Sequence, residues 1–150
     1  MQAVKKENLV EVESFIAEGA DLELEDHNGY TPLMHAVKQQ NIELVKVLAE
    51  NGANVDTSDG LEDTPLVWAS SLNNEAIIKL LLENGAELDV LDEFQQTPWS
   101  IAEGLIGAGI NNFELKAFGP HPDTAKVLLE SGADPSIPTV IQRTDVAIVE

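Results

Sequence analysis

One spacing of 33 residues recurs along most of the chain and constrains the fold more than any other feature. Thr-Pro pairs begin at residues 31, 64 and 97. Three more series keep this spacing: Gly-Ala pairs at 19, 52 and 85, alanines at 3, 36, 69 and 102, and aspartates at 26, 59 and 92. Self-similarity at a fixed period of about 20 to 50 residues is typical of solenoids. We therefore predict an array of stacked, similar units.

Each unit carries signals for two helices. Thr caps a helix N-terminus, and Pro in the first helical position lacks an N–H that would have no acceptor there, so each Thr-Pro pair predicts the start of a first helix. The pairs Gln40-Asn41 and Asn73-Asn74 then interrupt the apolar pattern and predict a turn before a second helix. Asn-Gly pairs at residues 51 and 84 predict the end of that helix. A polar, extended hairpin is expected to join consecutive units.

These motifs resemble the ankyrin repeat, whose units start with Asp-x-x-Gly-x-Thr-Pro-Leu-His-x-Ala and end with Gly-Ala-Asp-x-Asn. Residues 26–56 carry the clearest copy. The resemblance implies an all-α ankyrin-repeat solenoid of stacked helix-turn-helix units with short β-hairpin loops. The glycine two residues before Thr is kept only as Gly29, and Glu62 and Gln95 replace it in the next two units, so the motif leaves the geometry of those two hairpins open.

The repeat register predicts one domain over residues 1–150. Its parts are an N-terminal capping repeat (1–24), two repeats (25–57 and 58–90), a fourth unit (91–135) with an inserted loop at about 104–123, and a C-terminal tail (136–150). The insertion is 14 residues long, because the fourth unit separates Thr97 from Gly132 by 35 residues instead of 21. The first unit begins in mid-helix at Ala3, so a fragment of a longer protein is an alternative interpretation.

The chain is strongly acidic, with 27 acidic residues against 8 basic ones and a formal net charge of −19. This charge repels nucleic acid and anionic membranes, and it favours either a basic protein partner or simple solubility. No apolar run approaches the ~20 residues that span a bilayer. The cytoplasm is the default compartment, with an exported form as the alternative if a signal peptide has been removed. The lack of cysteine excludes disulfides, thiolate catalysis and Cys-ligated zinc.

No catalytic site, cofactor or specific metal site is predicted. The histidines at 27, 35 and 121 include no pair at metal-ligand spacing, and phosphate-loop, nucleophile-elbow and calcium-loop motifs are missing. The acidic pairs Glu62-Asp63 and Asp92-Glu93 are interpreted as solvated hairpin charges. We therefore predict that the chain is not an enzyme.

The resemblance implies a protein-protein interaction module, adaptor-like or regulatory, that recognises its partner through hairpin tips and the concave face of the first helices. Carried over by position, the expected partner-binding residues are His27, Asn28, Tyr30, His35, Lys38, Gln39, Leu61, Asp63, Trp68, Ser71, Leu72, Glu93, Phe94, Gln96 and Ile101. Trp68 is predicted to be an exposed anchor, since tryptophan is frequent among interface hot spots. Packing of Trp68 against neighbouring helices is the alternative, whereas Trp99 is predicted to lie in the core.

The inserted loop supports a second function. Long loops in compact domains are often functional, and Phe113, Phe118 and His121 would give this one side chains for contact. A ligand-binding protein or an enzyme that uses the loop as a lid is therefore the alternative function. The competing interpretation is a loop that folds back over the last unit.

Overall fold

A computed structural model describes residues 1–104 and 120–138 of the chain. In these ranges the backbone forms short helices arranged in pairs, and no strand is found. The helices are α1 (Gln2–Lys5), α2 (Leu9–Ala17), α3 (Pro32–Lys38), α4 (Ile42–Glu50), α5 (Pro65–Ser71), α6 (Glu75–Glu83), α7 (Pro98–Ala102) and α8 (Pro122–Glu130).

The Thr-Pro pairs start the first helix of their units, as predicted. In α3 and α5 the Thr31 and Thr64 hydroxyls accept hydrogen bonds from the backbone N–H three residues later. Thr97 does the same at α7, where the Ser100 hydroxyl also accepts from the Thr97 N–H and completes a capping box. In each of the three helices Pro occupies the first turn, where its missing N–H costs no hydrogen bond.

The predicted turns between paired helices are also confirmed. Gln40 and Asn73 have left-handed backbone angles, with φ of 56° and 55°, and reverse the chain direction. The next residue, Asn41 or Asn74, caps the second helix by accepting a hydrogen bond from the backbone N–H three residues later. In the fourth unit His121 takes this capping position, and its side chain makes no capping bond.

The helices form two layers around one apolar core. First helices contact first helices, α3 with α5 and α5 with α7, while α4 packs on α6 in the other layer. Leu, Ile and Val side chains from both layers are fully buried between them. Trp99 packs against this core, as predicted. No helix within residues 1–104 and 120–138 is long and apolar enough to span a membrane.

The hairpins between units are tight turns, each closed by two backbone hydrogen bonds to or from its aspartate, rather than pairs of strands. The aspartate carbonyl accepts from the N–H three residues later. The other bond runs from the N–H of the aspartate at 26, 59 or 92 to the carbonyl four residues later, at 3.1 Å in each hairpin. Glu62 and Gln95, with φ of 61° and 60°, adopt the left-handed conformation that Gly29 has at 78°. All three hairpins therefore share this left-handed position, although two of them lack the glycine.

Part of the inserted loop and most of the tail lie outside the described residues. Phe113, Phe118 and residues 139–150 are among those not described. Of the three loop residues singled out from the sequence, His121 is described, and it immediately precedes α8. The lid hypothesis for residues 104–123 stays a prediction.

Candidate functional site

Each hairpin is organised by its aspartate, which uses one carboxylate oxygen to hold the loop. Asp26 Oδ1 accepts hydrogen bonds from the backbone N–H of Asn28 at 2.9 Å and of Tyr30 at 3.2 Å. Asp59 and Asp92 receive the same two bonds from the residues two and four positions later. The side chain thus replaces a strand ladder and fixes the same loop shape in every unit.

In the first two hairpins the second aspartate oxygen is paired with the first helix, at the residue nine positions later. Asp26 Oδ2 lies 2.9 Å from His35 Nε2, and Asp59 Oδ2 accepts a 3.1 Å hydrogen bond from Trp68 Nε1. In the third hairpin the corresponding residue is Ile101, whose side chain has no hydrogen-bond donor. Asp92 Oδ2 is accordingly buried without a hydrogen-bond partner in the described part of the chain.

Trp68 is buried, with 4% of its surface exposed, so the prediction of an exposed anchor is wrong and the packing alternative is correct. Its ring meets Tyr30 edge to face, with 6.3 Å between centroids. Lys38 Nζ lies 4.0 Å from the centroids of both rings and 2.9 Å from the Tyr30 hydroxyl, to which it donates. The indole is held inside because Asp59 accepts its N–H and a cation covers its face.

In the first hairpin the pKa values of both Asp26 and His35 lie below their usual ranges. Burial alone would raise the pKa of Asp26, but hydrogen bonds from Asn28, Lys5, His35 and Tyr30 together bring it well below its usual range. Burial lowers the pKa of His35, and the charges of Lys5 and Lys38 lower it further, against the opposing effect of Asp26. His35 is therefore a neutral donor to an ionised Asp26 at neutral pH.

Asp63 and Asp92 are both 0% exposed, so their interpretation as solvated hairpin charges is wrong. Neither carboxylate oxygen of Asp63 has a hydrogen-bond partner among the residues that the structure describes. Burial, followed by the negative charges of Asp59 and Asp92, raises the pKa of Asp63 to about 8. Burial also raises the pKa of Asp92, although the N–H groups of Gln96 and Phe94 act against this shift.

The structure divides the predicted partner-binding residues into three groups by exposure. His27, Asn28 and Glu93 are exposed at hairpin tips. Half-buried residues are Tyr30, His35, Lys38, Gln39, Leu61, Leu72, Phe94 and, outside this face, His121. Asp63, Trp68, Ser71, Gln96 and Ile101 were expected at the surface and are buried instead. Their side chains lie where hairpins meet first helices, and this packing removes them from solvent.

Sequence reasoning missed the structural role of Asp26, Asp59 and Asp92. The signal was present in the aspartate series and in the donors His35 and Trp68, which follow their aspartates by the same nine positions. In residues 1–104 and 120–138 no group of three or more His, Cys, Asp or Glu side chains could hold a metal ion. The hydrogen bonds that the three aspartates accept from the hairpin backbone make them loop anchors.

Comparison with known proteins agrees with the architecture. A family model described as ankyrin repeats in three copies matches residues 1–92, which is more than half of the chain. A search of curated proteins finds no match. Ankyrin repeats are generally protein-protein interaction modules and are typically not enzymes. With its paired helices, Thr-Pro caps and matching family model, the chain belongs to the ankyrin repeat family.

Proposed function

We propose that this chain is an adaptor-like or regulatory domain that binds a protein partner through its hairpin face. By hairpin face we mean the loops 26–30, 59–63 and 92–96 together with the sides of α3, α5 and α7 against which they pack. The observation that carries the proposal is that the three hairpins have one backbone geometry and are joined to one another.

The joints between hairpins are backbone hydrogen bonds. The Gly60 N–H donates to the Asn28 carbonyl at 3.4 Å, and the Glu93 N–H donates to the Leu61 carbonyl at 3.2 Å. Exposed tips are thereby fixed relative to one another. A surface ordered before binding loses less conformational entropy when a partner arrives, which favours recognition.

Two kinds of side chain are available on this face. His27 and Asn28 are exposed, while Leu61 and Phe94 are half-buried and offer apolar area. Acidic residues predominate in the chain, whose net charge is −19. We propose a partner with a basic contact surface, since complementary charge accelerates association and selects among partners.

The test begins with capture of a partner by the full chain. A tip variant, His27→Ala with Phe94→Ala, is compared with a control, Lys46→Ala with Lys79→Ala, which changes exposed residues on α4 and α6. We expect the tip variant to lose about tenfold or more in affinity and the control to stay within about twofold. Equal affinities for both variants would place the interface elsewhere.

The proposed basic contact surface of the partner is tested by the dependence of affinity on salt concentration. The affinity of the captured partner should fall as ionic strength rises from 0.05 to about 0.5 M, because screening weakens attraction between exposed charges. An affinity that ignores salt would contradict a basic partner while leaving the hairpin face as the contact surface.

A further inference from the structure

Three carboxylate oxygens of the second and third hairpins are buried and have no hydrogen-bond partner within residues 1–104 and 120–138. They are both oxygens of Asp63 and Oδ2 of Asp92. Both residues are 0% exposed, so solvent does not satisfy these atoms. A buried, unpaired acceptor destabilises a protein, because the lost bond to water is not replaced, and such groups are rare in folded proteins.

The corresponding positions in the other hairpins do not share this deficit. Asp63 stands in register with Tyr30, whose hydroxyl accepts a hydrogen bond from Lys38. The outer oxygens of Asp26 and Asp59 are engaged by His35 and Trp68. The unpaired oxygens are therefore a local departure from a motif that is otherwise complete.

The surroundings of these oxygens are negative. Asp59, Asp92 and Glu93 act on Asp63 with negative charge, and Glu62 and Glu93 act on Asp92. Lys38 is the cation that opposes them at Asp63. The excess negative potential in this buried region attracts a positive group that carries hydrogen-bond donors.

We propose that Asp63 and Asp92 are the receptor for one basic side chain, lysine or arginine, of the protein partner. This inference rests on the proposed function, since it names the chemistry that the hairpin face recognises. An arginine guanidinium suits it best, because its five donors can serve several carboxylate oxygens at once. Exposed Glu62 and Glu93 lie in the same two hairpins and draw the cation in. Because both aspartates are buried in the unbound chain, the proposed pairing requires the side chains that cover them to move aside.

Binding is coupled to a proton. Asp63, with a pKa of about 8, is mostly protonated at pH 6 and must release that proton to pair with a cation. Affinity for the cation should therefore increase from pH 6 to pH 8. The charged groups around Asp63 are Asp59, Asp92, Glu93 and Lys38, and an unaltered carboxyl in solvent would show no increase in this range.

The test uses the full chain and a small probe. Backbone NMR shifts are followed while N-acetyl-arginine amide is added at up to millimolar concentrations, with N-acetyl-citrulline amide as the neutral probe of equal shape. Asp63→Asn is compared with Glu50→Gln, which removes one negative charge from an exposed position at the end of α4, outside the hairpin face. We expect shifts in the second and third hairpins with the arginine probe, loss of at least about tenfold in affinity for Asp63→Asn, and a change below about twofold for Glu50→Gln.

Three outcomes would overturn the inference: no shifts in the hairpins of the wild-type chain, equal response to citrulline, or equal affinity of Asp63→Asn and Glu50→Gln. Thermal unfolding of Asp63→Asn is the check that separates a loss of binding from a loss of folding. If Asp63→Asn captures the partner as well as wild type while the tip variant does not, the inference fails and the proposed function stands. If no partner depends on the hairpin tips but the arginine probe binds through Asp63, the proposed function fails instead.

Discussion

Trp68 donates its indole N–H to Asp59 Oδ2 over 3.1 Å, and this bond ties the second hairpin to helix α5. His35 and Asp26 make the corresponding contact in the first hairpin. A tryptophan that looks like a binding anchor from its position is thus part of the scaffold that holds the hairpins in place.

We expect Trp68→Phe to lower the free energy of unfolding by about 2 kcal/mol, since it leaves a buried carboxylate oxygen without its donor. Trp99→Phe is the matched control, because Trp99 Nε1 is buried without a partner in the described residues and no hydrogen bond is lost. Urea unfolding followed by circular dichroism measures both. Equal losses in the two variants would show that ring size, and not the bond to Asp59, determines the effect.

We expect Asp63→Asn to stabilise the protein at pH 8 by more than about 2 kcal/mol. The folded state holds a proton on Asp63 up to a pKa of about 8, while the unfolded state releases it near 3.8. The folded state therefore binds more protons between these values, so wild-type stability falls as pH rises through this window. Asparagine does not titrate, and the advantage of the variant should shrink towards pH 4. A difference that stays constant from pH 4 to pH 8 would contradict the buried, protonated Asp63.

We expect Gln95→Gly to stabilise the protein by about 1 kcal/mol, since a side chain at a left-handed φ of 60° is strained and glycine is not. Glu93→Gly, in the same hairpin but without a positive φ, is the control and should destabilise, because glycine there only gains freedom in the unfolded chain. Melting temperatures of the two variants give the comparison, and a lower value for Gln95→Gly would refute the strain.

We expect His35→Gln to reduce the loss of stability on acidification from pH 7 to pH 5. The pKa of His35 lies below its unfolded value of 6.5, so the unfolded state takes up the proton first and is favoured as pH falls. This window lies above the range in which Asp26 titrates. His27→Gln, at an exposed hairpin tip, serves as the control and should keep the wild-type slope. Identical slopes for His35→Gln and wild type would rule out His35 as the titrating group.

Much of the fold follows from local rules that the sequence states directly. Thr31 and Thr64 cap first helices because their hydroxyls accept a hydrogen bond from the backbone N–H three residues later. The side-chain oxygens of Asn41 and Asn74 cap the second helices in the same way. These interactions span three residues, so they do not depend on what the rest of the chain does.

The site was harder to predict because its burial is a property of packing between units. Asp63 has the charge and the position of a solvated loop residue, yet hairpins and helices around it exclude solvent. Trp68 was placed at the surface by analogy with the family, whereas its partner Asp59 lies nine residues upstream and pairs with it only once the hairpin folds back. Glu62 and Gln95 adopt the left-handed conformation of Gly29, since the N–H groups of the residues that follow them are hydrogen-bonded to the hairpin aspartates.

The fourth unit lacks two stabilising interactions that the second and third units have. His121 makes no side-chain capping bond at α8, and Asp92 has no donor from α7. In a repeat array each unit contacts only its neighbours. The missing interactions therefore lower the free energy of opening of the fourth unit more than that of distant units. Amide protons of α8 should therefore exchange with deuterium sooner than those of α4 and α6. The solenoid would then unfold from its C-terminal side, with the second and third units remaining folded longest.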